Sequence, residues 1–456
     1  NALVVNPDSQ LGHRSIVFHL PLPQPTEPST SSIRNKSSLD GADGHSPLCR
    51  SPNKHLIRRS LSPRTATAQG PMERALMNYD PVAKLTDDIL VDIISRLPYK
   101  STCCCKCVST RWRDLFYHPD HRKKLPCSLA GFFHEGYNKN RFPSSARYFT
   151  NVSGEGEPLI DPALSFLPGY NNLDIMDGCN GLLLCRCWKP TDPKTLDYVV
   201  CNPITKKWVV VPATEWSSKV DVARLGFEPS SASHFHVFEF IDEEAWGIPE
   251  SEQSDCVGRI EQLAIYSSKD GVWRHQSLEF FEFAIPKNST SVFLNGILHF
   301  STSYDMMVAI DVEGSDWTFI GLPMPTIYED DRGDAMFLSQ RQLYATDSTA
   351  GSDGSELSVW ALENLNREKW TLKHNVSHLE LFGSWYSVAA NHFSVISFHP
   401  ERNMIFIVFG HDNILMSYEM DCRKACFICQ LGQDCQVQYG KTRYIPYVPL
   451  FSDSWH

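Results

Sequence analysis

The chain has 456 residues, 42% of them hydrophobic and 11% aromatic, enough for two or three domains with filled cores. Its net charge of −11 is uneven: residues 1–78 hold nine Lys/Arg against five Asp/Glu, a balance of +4, so the remainder carries −15. An acidic remainder argues against nucleic-acid binding, which needs Lys and Arg against phosphates, and no run of 18 apolar residues is present to span a membrane.

Residues 1–78 read as a disordered tail. Stretches such as "PLPQPTEPSTSS" offer too little apolar surface to offset the entropy of ordering. The segment lacks the basic start, apolar core and small-residue cleavage site of a secretory signal. Its Arg- and Ser-rich, acid-poor parts, such as "HLIRRSLSPRTATA", leave an organellar transit segment as the alternative.

Residues 79–122 carry helix signals. Thr86 followed by Asp87 and Asp88 supplies a hydroxyl cap and carboxylates at the positive end of a helix. Ile89, Leu90, Ile93, Ile94 and Leu97 then form one wide apolar stripe, which Pro98 ends. Ser101 is placed to cap a second helix through Cys107, and Ser109 a third with Trp112, Leu115 and Phe116. Three helices in so few residues bury little surface, so part of this apolar face is expected to meet a partner.

Cysteines crowd the same stretch. Cys103, Cys104, Cys105 and Cys107 point in several directions around one helix, whereas four zinc ligands must converge; they read as small core-fillers. A later set, Cys422, Cys426, Cys429 and Cys435, has more suggestive spacing but no second CxxC. Fifteen cysteines without a secretion signal read as reduced thiols of cytoplasm or nucleus.

Residues 123–456 read as β-structure, with short apolar runs between Gly, Pro, Asn and Asp clusters. An apolar strand, a polar turn and a Trp-bearing strand recur in "DYVVCNPITKKWVVVP", "LAIYSSKDGVWRHQ", "MVAIDVEGSDWTFIGLP" and "LSVWALENLNREKWTLKH". The aromatic positions are Trp208, Trp273, Trp317 and Trp370, with Phe427 in a fifth copy. Each is expected to pack inward. Periods near 40–50 residues predict a propeller of about six or seven blades; a pair of β-sandwiches is the alternative. No G-x-S-x-G, H-E-x-x-H, Walker or dinucleotide motif is present. His234 and His236 share a strand face, and the acidic run at 241–255 reads as an exposed loop. No catalytic residue, metal or cofactor is assigned.

Two sets of motifs carry a family resemblance. Leu85, Asp87-Asp88, Ile89-Leu90, Ile93-Ile94, Arg96-Leu97-Pro98, Cys107-Val108-Ser109 and Arg111-Trp112-Arg113 resemble an F-box. That resemblance implies docking on the Skp-type adaptor of cullin–RING ubiquitin ligases through Leu85, Ile89, Leu90, Ile93, Leu97, Pro98, Val108 and Trp112. Thr102, Cys103 and Cys104 depart from it, standing where the family has Leu-Leu-Arg. Smaller side chains there remove apolar contact, at about 0.8 kcal/mol per buried methylene. "GCNGLLLC", "CNPITKKWVVVP", "IYSSKDGVW", "FLNGILHF", "LSVWALE" and "SFHPERNMIFI" resemble the F-box-associated, kelch-like region of plant F-box proteins.

The expected architecture is therefore α+β by segment: a tail at 1–78, a three-helix F-box at 79–122 and an all-β propeller-like domain at 123–456. The resemblance implies a non-catalytic substrate receptor of an SCF-type ligase, holding an unidentified target protein and binding neither nucleic acid nor membrane. The alternatives are a binding module with a degenerate F-box acting outside the ligase, and a propeller enzyme.

Overall fold

In the computed structural model the described residues are 16–19, 81–97, 101, 104–105, 108–117, 121 and 129–456, the last without 138–144, 168, 171, 192–194, 230–232, 243–255, 258–259, 279–282, 303–305, 324–335, 352–353, 365–368, 386–392, 432–441 and 451–454. The chain divides into two compact units, residues 22–90 and residues 1–21 with 91–456.

The second unit contains a six-bladed β-propeller, which replaces the sandwich alternative. Blade 1 is Asn172–Cys179, Leu182–Trp188, Leu196–Asn202 and Lys207–Val211. Blade 2 is Val222–Phe227, Phe235–Ile241, Gln262–Ser267 and Val272–Ser277. Blade 3 is Ser291–Leu294, Ile297–Ser301, Met306–Asp311 and Asp316–Gly321. Blade 4 is Met336–Ser339, Gln342–Gly351, Gly354–Asn364 and Lys369–Ser377. Blade 5 is Phe393–Phe398, Met404–Phe409, Ile414–Glu419 and Lys424–Gln430. Each is an antiparallel meander.

Blade 6 joins the two ends of the domain. Its first strand, Tyr444–Tyr447, pairs antiparallel with Gly131–Tyr137, which pairs with Ser145–Asn151. The first strands of successive blades are neighbours in a ring, and Tyr444–Tyr447 closes it against Asn172–Cys179. Closure of this kind protects the inner edges that open sheets leave bare.

Burial explains the apolar runs. Middle strands are covered on both faces, so Leu182–Cys185 and Val237–Ile241 are continuously buried. Outer strands are more exposed: Lys207–Val211 alternates and Val272–Ser277 has no buried residue. The recurring aromatics lie on these outer strands, which corrects the inward packing expected of them. Only Trp317 is fully buried, while Trp208 is 38% and Phe427 60% exposed. Trp273 and Trp370 instead link blades, their indole N–H groups donating to the carbonyls of Pro212 (2.7 Å) and Gly321 (2.9 Å) at the ends of the preceding outer strands.

Within the 1–78 segment, Ile16–His19 form a strand that pairs antiparallel with Asp316–Gly321, adding a fifth strand to blade 3. Of the predicted F-box helices, Asp87–Ser95 and Thr110–Tyr117 are present. Between them Ser101, Cys104 and Cys105 are helical, and the rest of the expected second helix lies outside the described residues.

Candidate functional site

The helices of the 79–122 segment form as their sequence directs. The carbonyl of Thr86 accepts the first helical bond, from the N–H of Leu90 at 3.0 Å. Asp92 and Arg96 form an exposed i,i+4 ion pair at 2.7 Å near the end of that helix. Ser109 caps the next one, its Oγ accepting from the N–H of Trp112 at 3.1 Å.

The apolar stripe divides into two sets. Leu90, Val91, Ile94, Cys105 and Leu115 are buried. Ile89 (48%), Ile93 (44%) and Val108 (62%) are exposed, a large fraction for aliphatic side chains with no polar atom to hydrate. Leu85, Leu97 and Trp112 are half-buried. Of the eight residues expected to face an adaptor, Leu90 is thus inside the chain and Pro98 lies outside the described residues. Cys104 is exposed and Cys105 buried; burial, with Cys104 beside it, pushes the Cys105 thiol up. Cys103 and Cys107 lie outside the described residues.

The propeller carries its own polar constellations, none of which the sequence singled out. Asp177, 4% exposed at a bulge in the innermost strand of blade 1, accepts from three other blades. Its donors are the Leu225 N–H (2.8 Å), the Ser291 hydroxyl (3.1 Å) and the Arg443 guanidinium (2.7 Å). A single carboxylate thereby ties blades 1, 2, 3 and 6 at the axis. Glu239, fully buried, accepts from Ser217 (2.5 Å) and Thr214 (2.9 Å). Burial raises its carboxyl above the usual range against those hydrogen bonds. The same strand, "NLDIMDGC", also carries Asn172 and Asp174, so no pattern in the sequence set Asp177 apart.

The turns between first and second strands link the blades on one face. Asn180 and Asn295, in the Asn-Gly turns of blades 1 and 3, both have positive φ, the type I′ hairpin that dipeptide favours. Asn180 donates to the carbonyl of Phe227 (2.7 Å), and the Asn295 N–H donates to buried Glu228 (2.9 Å), which also pairs with Arg341 at 3.1 Å.

On the opposite face lie the middle turns and the connections between blades. There a cleft of about 400 Å³ opens between blades 6 and 1, lined by Phe133, Glu135, Tyr137, Arg147, Asp174 and Arg443 among others. A smaller hollow of about 230 Å³ beside blade 5 is lined by Phe382, Trp385, Phe409 and Phe427 together with Glu380 and Ser384.

Other sequence candidates fall in structural positions. His236 lies nearly parallel to the ring of Phe293, and His234 meets His456 edge-on; burial first, then His234, lower the His236 imidazole to about 4. Cys422 and Cys426 are exposed and Cys429 is half-buried, while Cys435 and positions 243–255 of the acidic run lie outside the described residues. Among the described residues no group of three or more His, Cys, Asp or Glu is placed to hold a metal, and no helix is long and apolar enough to cross a membrane.

Comparison with known proteins places both regions. Residues 163–442 match the family described as F-box protein At3g26010-like, beta-propeller, and residues 83–124 match the F-box domain. Three proteins of Arabidopsis thaliana are similar over most of their length. F-box protein At5g07610 is 28% identical over 313 residues, covering 64% of this chain and 70% of that one. Putative F-box protein At1g30920 is 23% identical over 370 residues, covering 70% and 86%. F-box protein DOR is 22% identical over 330 residues, covering 68% and 77%.

Proposed function

Because the chain belongs to the F-box protein At3g26010-like β-propeller family, we propose that it is the substrate-recognition subunit of an SCF-type E3 ubiquitin ligase. In this reading the F-box segment docks on a Skp-type adaptor and, through it, on the cullin and RING subunits. The propeller holds a target protein near the charged ubiquitin-conjugating enzyme. The chain then contributes proximity and effective concentration, with no reacting side chain of its own. A receptor of this kind works in the cytoplasm, the nucleus or both.

The observation that carries the reading is the exposure of Ile89, Ile93 and Val108 within a segment that matches the F-box. Covering apolar side chains is worth about 25 cal/mol per Å², so aliphatic side chains this exposed favour a protein partner. Thr102 and Cys103, which stand where the family has two leucines, favour a second reading, in which a weakened F-box leaves the chain as a binding module outside the ligase. Smaller side chains there offer less apolar surface to an adaptor.

Adaptor binding separates the two. The test is titration of the full chain with a purified Skp-type adaptor, beside Ile93→Asp. That side chain is already exposed, so the variant is expected to keep the wild-type melting temperature while losing at least about tenfold in affinity, or roughly 1.4 kcal/mol. Equal affinity of both proteins would remove this surface from the contact. Failure of the wild-type chain to bind would favour the second reading.

A further inference from the structure

Among the described residues, one carboxylate in the cleft between blades 6 and 1 has no ion-pair partner. Glu135 and Tyr137 are two residues apart on the strand Gly131–Tyr137 and share the face that has buried Phe133 at its base. Arg147 stands directly opposite Glu135 in the ladder, where a cross-strand ion pair would ordinarily form. None forms. The Arg147 guanidinium instead donates to the carbonyls of Pro162 (3.1 Å) and Leu173.

The neighbouring cations are engaged as well. Arg443 is bound to Asp177 and to the carbonyl of Met176. Arg186 donates to the carbonyl of Val220 at 2.8 Å and pairs with Asp174 at 3.5 Å. With the Arg147, Arg186 and Arg443 guanidinium groups directed at carbonyls or other carboxylates, Glu135 is left without an ion pair among the described residues, whereas Asp174, which also lines the cleft, has Arg186. Glu135 is exposed at the cleft mouth, yet desolvation by the surrounding walls raises its pKa, Arg147 opposes this and Asp174 adds to it. The charge of a positive guest would oppose both raising effects. The cleft holds about 400 Å³, and Tyr137, 41% exposed, stands on its lining.

We propose that this cleft receives the side chain of an arginine or lysine from an extended segment of the target protein, with Glu135 as its counter-ion and Tyr137 as the ring it lies against. The inference rests on the receptor reading and names the chemistry by which that receptor would hold its target.

The probe is a pentapeptide with a central arginine between glycine and serine residues, titrated into the full chain beside a counterpart with citrulline, which keeps the shape without the charge. The arginine peptide is expected to bind about tenfold more tightly, a difference of roughly 1.4 kcal/mol. Glu135→Gln should abolish that difference, and Asp421→Asn should leave it intact. Equal binding of the two peptides, or a difference that survives Glu135→Gln, overturns the proposal. So does a difference that appears only when Lys139 and Arg141 are replaced by alanine, since the guest would then be the chain's own cation. Adaptor affinity is measured on the same samples. Adaptor binding without arginine preference overturns this inference alone, whereas arginine preference without adaptor binding overturns the ligase reading alone.

Discussion

Replacing Asp177 by alanine should destabilise the propeller more than any surface charge change. The carboxylate is 4% exposed and accepts from Leu225, Ser291 and Arg443, which belong to three different blades. Its loss strands the Arg443 guanidinium, whose side chain is 17% exposed, without an anion. Removing one partner of a buried pair costs about 3–5 kcal/mol, because the remaining charge keeps its desolvation penalty. At about 1.4 °C per kcal/mol for a domain of this size, the melting temperature should fall by roughly 4–7 °C. The assay is thermal unfolding followed by circular dichroism, with Asp174→Ala as control. Asp174 is in a looser and more exposed pair, at 3.5 Å from Arg186, so its loss should cost less than about 1 kcal/mol. Arg443→Met completes a double-mutant cycle. The Asp177→Ala/Arg443→Met protein should be less unstable than the sum of the single changes, since no charge is then left unpaired. A loss for Asp177→Ala below about 1 kcal/mol, or strict additivity, would refute the idea that this carboxylate ties the blades together.

Two further outcomes follow from the same packing. Gly181 has φ +88° and a Cβ there would sit 2.5 Å from Leu450 Cβ and 2.6 Å from the carbonyl oxygen of Val448, whereas Gly296 has φ +78° and open space around it; Gly296→Ala should cost about 1 kcal/mol for its backbone alone, Gly181→Ala clearly more, and equal losses in urea titrations would remove the steric part of the argument. Stability should also fall on acidification: burial holds His134, His236 and His299 at about 4, so between about pH 6.5 and 4 the unfolded chain binds protons that the folded chain does not, at up to roughly 2 kcal/mol per ring by pH 5. Glu239, whose carboxyl is raised, acts in the opposite sense, so Glu239→Gln should steepen the fall, and a flat unfolding free energy between pH 7 and 5 would contradict the burial of the three rings.

The amino-acid order by itself determined much of this protein. Thr86-Asp87-Asp88 and Ser109 fix helix starts through local hydrogen bonds and charges, so those helices begin where the residues say. The Asn180-Gly181 and Asn295-Gly296 pairs select left-handed turns, and apolar runs of strand length between such turns give blades. These signals are local: propensity, capping and turn chemistry act over a few residues and survive without knowledge of distant contacts. The outward aromatics show where that reasoning stops. Trp208 and Trp317 occupy equivalent outer-strand positions, yet one is 38% exposed and the other fully buried, because the neighbours that cover a side chain come from another blade.

What the tertiary structure decided is the set of groups brought together across the chain. Asp177 and Arg443 are 266 positions apart and meet only because Tyr444–Tyr447 closes the ring against the first blade. The same closure decides which of the opposed pair Glu135 and Arg147 keeps a partner. Arg147 is drawn away to carbonyls of the 162 and 173 positions, while Glu135 faces the cleft. Leu90 and Ile89 read alike in the sequence, and only packing buries the first and exposes the second. Periodicity reports that a residue is apolar and on a face; long-range contacts, set by the fold's closure, decide whether that face is core or left open for a partner.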